Sequence, residues 1–89
     1  MSIIRVLATD LDTGEAISNA RVDIENVETG ESFRVCTNDE GMVVINVRPG
    51  QYTFDLRSRV YEHDYNEWII LEGEEAEVDL KARKKRRYR

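Results

Sequence analysis

Short segments in which apolar and polar residues alternate are the feature that most restricts how this chain can fold. The clearest is residues 51–57, in which Tyr52, Phe54 and Leu56 are separated by polar residues. A repeat of two residues is that of a strand with one buried face, because successive side chains point to opposite sides of a sheet. No segment carries the repeat of an amphipathic helix. The pattern therefore predicts an all-β fold.

Seven segments of this kind follow one another at intervals of roughly 8–12 residues, and turn signals separate most of them. Residues 21–27 and 31–37 flank a glycine-containing turn and are predicted to form a hairpin. Seven short strands with frequent turns are typical of a two-sheet, Ig-like antiparallel β-sandwich. The predicted strands are residues 3–8, 21–27, 31–37, 42–47, 51–57, 68–71 and 76–80.

The segment 42–47, Met-Val-Val-Ile-Asn-Val, departs from the alternating pattern because it is apolar on both faces. A strand of this composition is either covered on both sides or has an outer face that meets a partner. Both interpretations remain open from the sequence.

Charge divides the 89 residues into two parts. All 18 acidic residues lie before residue 81, where six arginines offset them and leave a formal charge of −12, whereas the last nine residues carry +7. We therefore predict a sandwich domain at residues 1–81 and a basic C-terminal tail at residues 82–89. The candidate partner-binding residues are Lys81, Arg83, Lys84, Lys85, Arg86, Arg87, Tyr88 and Arg89.

Three roles for this basic segment are open. Runs of positive charge neutralise nucleic-acid phosphates or dock on acidic protein surfaces, here including a second copy of the acidic body. Tyr88 could stack on a base. The third role is that of a terminus that only improves solubility.

Three loop segments carry a resemblance to a known family. They are residues 12–24 (Asp-Thr-Gly-Glu-Ala-Ile-Ser-Asn-Ala-Arg-Val-Asp-Ile), residues 37–41 (Thr-Asn-Asp-Glu-Gly) and residues 48–52 (Arg-Pro-Gly-Gln-Tyr). Together they resemble the carboxypeptidase regulatory-domain-like, or prealbumin-like, β-sandwiches, whose relatives include collagen-adhesin B-type repeats. The resemblance runs from about residue 3 to residue 80 and implies architecture more than activity, because the family is functionally broad.

Two specialised branches of that family have chemistry that does not transfer. Adhesin repeats with an isopeptide bond use a lysine in the first strand and an asparagine in the last, but this chain has Arg5 in the first, and residues 76–81 contain no asparagine. Purine-pathway hydrolases of the transthyretin type use several histidines and a C-terminal signature, whereas this chain has His63 alone and ends Arg-Arg-Tyr-Arg.

Single reactive side chains give no catalytic or metal site. His63 lies beside Glu62 and Asp64 but has no second histidine or nearby thiol, which favours a solvated loop residue. Cys36 lacks a base to form its thiolate, and we expect a partly covered strand cysteine. It also excludes an intrachain disulfide, since it is the only cysteine.

Two further groups have a functional and a structural interpretation. Asp10, Asp12 and Glu15 resemble half of a calcium loop but lack the remaining ligands, because the twelfth position is an arginine. An acidic stretch follows the predicted strand at 68–71, and we expect it to be a solvated hairpin that discourages edge-to-edge aggregation. Its members are Glu72, Glu74, Glu75, Glu77 and Asp79; the remaining aromatic group, Tyr61, Tyr65 and Trp68, is expected in the core or at its rim.

The sequence favours a non-enzymatic structural or adaptor module of a larger assembly, such as a virion, tail or filament component. The alternatives are a nucleic-acid-associated protein that binds through residues 83–89, and a secreted adhesin-like domain if a leader was removed. We expect a protein partner or homo-oligomer, and no cofactor, metal, small-molecule substrate or membrane. Residues 1–10 lack the pattern of a secretory signal, which favours a cytoplasmic or particle-associated location.

Overall fold

The computed structural model describes residues 1–63 and 66–85, and these residues form eight β-strands. None of them belongs to a helix that is long and apolar enough to span a membrane. The strands are β1 (Ser2–Asp10), β2 (Arg21–Asn26), β3 (Ser32–Cys36), β4 (Met42–Val47), β5 (Gly50–Arg57), β6 (Tyr61–Glu62), β7 (Asn66–Ile70) and β8 (Glu75–Lys84).

The strands form two sheets with the orders β4-β1-β8-β6 and β3-β2-β5-β7. The predicted hairpin is confirmed, because β2 and β3 are antiparallel neighbours with Val22 opposite Val35 and Ile24 opposite Phe33. The side chains between the sheets form one core, and the all-β sandwich predicted from the alternating pattern is confirmed.

The core follows the two-residue repeat. Tyr52, Phe54 and Leu56 of β5 all point inward and are buried, as are Val22 and Ile24 on the neighbouring strand. Burying a large apolar side chain contributes about 1.5–3 kcal/mol relative to leaving it in water, so the burial of these alternating positions favours closing the sandwich. The only hydroxyl in this set, that of Tyr52, donates to the carbonyl of Arg48 at 2.7 Å.

The structure has one strand more than the sequence predicted. The additional strand, β6, has two residues and lies within residues 58–66, where the sequence shows no regular pattern. Two residues cannot display a repeat, so this strand is defined only by its pairing with β8. The strand predicted at 68–71 begins earlier, at Asn66, because it pairs with β5 from Phe54 onward.

One strand pair is parallel, whereas the sequence predicted an antiparallel sandwich. β1 and β8 run side by side in the same direction, with Ile4 opposite Ala76 and Val6 opposite Val78. Neighbouring strands joined by a tight turn must be antiparallel, whereas parallel neighbours need a long crossover. Here the rest of the sandwich is that crossover.

β4 lies at the margin of its sheet, where it pairs only with β1. Val43, Ile45 and Val47 face the core, and Val44 faces outward with 51% of its surface exposed. The sequence left two interpretations of the segment 42–47. The interpretation that both of its faces are covered is wrong for the described residues, because the outer face is exposed.

β8 continues to Lys84, so residues 82–84, which the sequence assigned to the tail, lie in a strand. Ala82 is 1% exposed and belongs to the core. Arg86, Arg87, Tyr88 and Arg89 lie outside the described residues. A separate basic tail therefore remains a prediction, and it concerns only the residues beyond Lys85.

Candidate partner-binding surface

The outward side chains of β8 change the sign of their charge along the strand. The inward positions are apolar, with Val78, Leu80 and Ala82 buried, so the charged residues between them all point away from the core. We call these outward residues the β8 charge strip. Its members in chain order are Glu75, Glu77, Asp79, Lys81 and Arg83.

The basic end of the β8 charge strip is held by pairing with β6, in which Glu62 lies opposite Arg83 and Tyr61 opposite Lys84. The next residue, Lys85, donates its backbone N–H to the carbonyl of Val60 at 2.7 Å. Its Nζ donates to the carbonyl of Ser58 at 2.9 Å. Lys81, Arg83, Lys84 and Lys85 therefore belong to the folded domain.

Asp10 is a buried carboxylate near the same end of the sheet. Its Oδ1 accepts hydrogen bonds from the backbone N–H groups of Asp12 at 2.9 Å and Thr13 at 3.2 Å, and its Oδ2 accepts one from the hydroxyl of Tyr61 at 3.2 Å. The Asp12 N–H is the main cause that holds the pKa of Asp10 below its usual value, and the charge of Lys84 acts in the same direction. Asp10, one of the three residues that resemble half of a calcium loop, thus has one carboxylate oxygen engaged by the turn and the other by Tyr61.

A surface depression of about 600 Å³ lies beside the basic end of the strip. Lys81 and Arg83 line it together with Glu62 and Asp79. Two positive and two negative charges therefore share one concave surface, which suits a partner that carries both signs of charge.

The acidic hairpin at the other end of the strip is tied to the sheet. The N-terminal ammonium of Met1 forms an ion pair with Glu72 at 2.9 Å. Glu74 Oε1 accepts the backbone N–H of Leu71 at 2.9 Å, and Asp79 Oδ1 accepts the hydroxyl of Thr9 at 3.2 Å. β6 pairs only with residues 83 and 84, so the acidic residues lie along the part of β8 that pairs with β1 on one side and has no described strand on the other.

His63 was expected to be solvated, and this expectation is wrong. Its side chain is 4% exposed, because the chain after β6 folds back against β5. Nε2 lies 2.9 Å from Asp55 Oδ1 and also within hydrogen-bonding distance of the backbone N–H of Leu56. A ring nitrogen either accepts or donates, so the two contacts exclude each other at any moment. The ring is a structural element of this corner.

Cys36 and the described aromatic residues lie in different parts of the fold. Cys36 is exposed at the end of the margin strand β3, not partly covered as expected, because β3 has no neighbour on its outer side. Trp68 lies at the rim opposite Tyr52, and the hydroxyl of Tyr61 contacts Asp10, whereas Tyr65 lies outside the described residues. Within residues 1–63 and 66–85, no three His, Cys, Asp or Glu side chains come together to hold a metal ion.

An arginine cluster on the opposite sheet was not anticipated from the sequence. Asp23 accepts two hydrogen bonds from Arg21, at 3.0 and 3.1 Å, and lies 3.3 Å from Nε of Arg57 and 3.7 Å from Nε of Arg34. The guanidinium of Arg21 is the main cause that lowers the pKa of Asp23. The strand register brings these residues together, since Asp23 is opposite Arg34 on one side and Asp55 on the other. The register of the β2–β3 and β2–β5 pairs would have been the signal.

With this geometry established, comparison with known proteins places the chain in a family. The model of the carboxypeptidase regulatory-like domain matches residues 3–83. The chain belongs to this family. The match confirms the resemblance inferred from the three loop segments and extends to residue 83, so that it includes nearly all of β8. No curated protein matches the chain at a significant level.

Several solved structures share the fold. The Bacillus anthracis TIE protein is 23% identical with a TM-score of 0.78, and the match covers 92% of this chain and 17% of that protein. The group B streptococcus pilus 2b backbone protein is 13% identical with a TM-score of 0.74, covering 92% of this chain and 40% of that protein. The Klebsiella pneumoniae 5-hydroxyisourate hydrolase is 16% identical with a TM-score of 0.64, covering 97% of this chain and all of that one.

These likenesses establish the β-sandwich architecture of the family. In the first two, this chain spans less than half the length of the protein that it matches. The fold therefore occurs both as one part of a longer chain and as a complete small protein.

Proposed function

We propose that this chain is a non-enzymatic structural module of a larger assembly, and that it docks on a protein partner through the basic end of the β8 charge strip and the residues that follow. The observation that carries the proposal is the change of sign along one rigid strand, from Glu75, Glu77 and Asp79 to Lys81 and Arg83. A partner with a complementary charge pattern would be held in one orientation only.

The mixed charge of this surface favours protein over nucleic acid as the partner. Glu62 and Asp79 lie in the same depression as Lys81 and Arg83 and would repel phosphates. A protein surface can place a cation opposite each of these carboxylates, whereas a nucleic acid cannot. The basic residues 86–89 add positive charge beyond this surface in the sequence.

The reactive groups support a non-enzymatic role. The hydrolase that shares this fold is 16% identical, and its reaction would need acid–base groups that converge on an accessible site. Here the sole histidine, His63, lines the depression, but only 4% of its side chain is exposed and its Nε2 is engaged by Asp55 and the N–H of Leu56. Cys36 lies on the other side of the sandwich core from the β8 charge strip.

Two structural neighbours are filament components by name, a pilus backbone protein and a shaft pilin of Lactobacillus rhamnosus. At 13% and 9% identity they share the fold alone. They support the proposal in one respect: this sandwich fold occurs in proteins of such assemblies.

The experiment measures binding of two labelled probes by fluorescence anisotropy: a peptide in which lysines are interspersed among glutamates, and a single-stranded oligonucleotide of equal net charge. The variant Lys81→Gln/Arg83→Gln removes two charges from the strip, and Arg34→Gln, on the opposite sheet, is the control. At about 0.5–1 kcal/mol per charge, we expect the double variant to bind the peptide about 5–30-fold more weakly.

Two outcomes would contradict the proposal. One is tighter binding of the oligonucleotide than of the peptide, which would favour the nucleic-acid alternative. The other is equal loss of binding in the double variant and the Arg34→Gln control. Hydrolysis of 5-hydroxyisourate above the buffer rate would refute the non-enzymatic part alone.

A further inference from the structure

β4 is unusual among the strands at the sheet margins. Exposed margins are normally protected by charge, proline or short length, because their free backbone groups attract other strands. β3 carries Arg34, β7 carries Glu67, and the uncovered part of β8 carries its charge strip. In the part of the chain that the structure describes, β4 is the marginal strand with neither a charged residue nor a proline.

The ladder between β1 and β4 determines which backbone groups of β4 face outward. The N–H of Ala8 donates to the carbonyl of Gly41 at 2.8 Å, so Gly41 points toward β1. In an antiparallel ladder, alternate residues point the same way. Val43, Ile45 and Val47 therefore bond to β1, and the even-numbered residues point to the free side.

The open part of this margin has defined ends. Met42 is already engaged with Asn38, since its carbonyl accepts the N–H of Asn38 at 2.9 Å and its N–H donates to Asn38 Oδ1 at 3.0 Å. At the other end, the carbonyl of Arg48 accepts the hydroxyl of Tyr52. Between these ends, no hydrogen bond from the described residues reaches the outward N–H or C=O of Val44 or Asn46.

We propose that two copies of this chain pair through β4, antiparallel, about a two-fold axis at Ile45. In this register Val44 of each copy lies opposite Asn46 of the other, and the two residues exchange both backbone hydrogen bonds. The axis repeats the exchange, so four backbone hydrogen bonds form and every free group in the open segment is used. The pairing goes beyond the proposed function and does not depend on the basic segment.

The side chains fit this register on both faces. Ile45 lies opposite Ile45 of the second copy, and Val43 lies opposite Val47 of the second copy. Val43 and Ile45, which are partly buried at the rim of each core, would then become covered. Beyond each end of the paired segment, Arg48 comes near the turn of the second copy that carries Asn38 and Glu40. The two-fold axis makes this charge complementarity occur twice.

The test is sedimentation velocity across roughly 10 µM to 1 mM with the variants Val44→Pro and Val44→Ala. Proline removes the outward N–H but none of the bonds to β1, and proline is tolerated on marginal strands in that position. We expect the wild type and Val44→Ala to change from 10.4 kDa monomer to dimer, and Val44→Pro to dimerise at least about tenfold more weakly. A wild type that stays monomeric, or a dimer that a folded Val44→Pro variant leaves intact, overturns the proposal.

A second measurement decides the case if Val44→Pro does not fold. In the wild type, amide hydrogen exchange at Val44 and Asn46 should slow as concentration rises, while exchange at Val43 and Ile45 stays slow throughout. A dimer with no concentration-dependent protection at Val44 and Asn46 would refute the pairing. Deleting residues 86–89 should leave the dimer unchanged, which separates this proposal from docking by the basic segment.

Discussion

Gly41 allows a quantitative test of how the turn before β4 is built. Its φ is +74°, and a Cβ added there would lie 2.7 Å from the backbone oxygen of Ala8 and 3.0 Å from the Cβ of Ala16. Gly73 has the same φ of +74° but no atom within 4 Å of the added Cβ. The variants Gly41→Ala and Gly73→Ala therefore share the backbone strain and differ in the close contact.

The expected destabilisation has two parts. A left-handed backbone costs a residue with a Cβ about 1–2 kcal/mol, which both variants lose. The overlap with Ala8 involves backbone on both sides and cannot be relieved by a rotamer change, so we add about 1–3 kcal/mol for overpacking. Gly41→Ala should lose about 2–5 kcal/mol of the free energy of unfolding and Gly73→Ala about 1–2 kcal/mol.

Urea unfolding, followed by the fluorescence of Trp68 and by circular dichroism, measures both losses. The sole tryptophan lies at the rim beside the buried Tyr52 and reports on the closing of the sandwich. With a urea dependence of about 1–3 kcal/mol per molar, Gly41→Ala should unfold at a urea concentration at least about 0.7 M lower than the wild type. Equal losses in the two variants would refute the close contact as the reason for Gly41.

Two further predictions concern polar groups. Asp23→Asn should lower stability by about 1 kcal/mol at neutral pH. Because the pKa of Asp23 is lowered in the folded state, its contribution is present above the unfolded pKa of about 3.9 and is lost as pH falls through the folded value, so unfolding measured from pH 7 to 2 should show the variants converging. Thr37→Val removes a buried hydroxyl that donates to the carbonyl of Ile17 at 2.8 Å and accepts the N–H of Ala20 at 2.9 Å, and should cost about 2–5 kcal/mol. Thr53→Val, on the outer face of β5, should cost under about 0.5 kcal/mol, and a similar loss from both threonine variants in urea unfolding would contradict this reasoning.

The features that sequence could predict are local. The two-residue repeat, the turn residues and the hairpin between β2 and β3 all depend on residues close together in the chain. Two turns also resemble each other in detail, and this resemblance depends only on local sequence. A side-chain oxygen of Asp10 and one of Asn26 each accept the backbone N–H groups of the residues two and three positions later. A glycine of positive φ, Gly14 or Gly30, lies four positions after each.

The features that sequence missed depend on which strands become neighbours. The pairing of β1 with β8 joins the two ends of the described chain, and no local pattern encodes that choice. β6 exists only because β8 lies beside it. The cluster around Asp23 forms across three strands, so its arginines could be placed together only after the register of the β2–β3 and β2–β5 pairs was known.

In the basic segment, a local signal of strand structure was present, but the prediction of a tail gave more weight to the change in charge. Apolar residues continue at every second position from Ala76 to Ala82, so the strand repeat extends past the point where positive charges begin. Because Ala82 lies at an inward position of this repeat, Lys81 and Arg83 on either side of it point outward from the strand. β6 pairs with Arg83 and Lys84 at the end of that strand. A side chain on a fixed backbone loses less conformational entropy when it binds than one whose backbone becomes ordered at the same time. Lys81 and Arg83 are therefore already positioned for a partner, and the Lys81→Gln/Arg83→Gln variant tests this part of the basic segment.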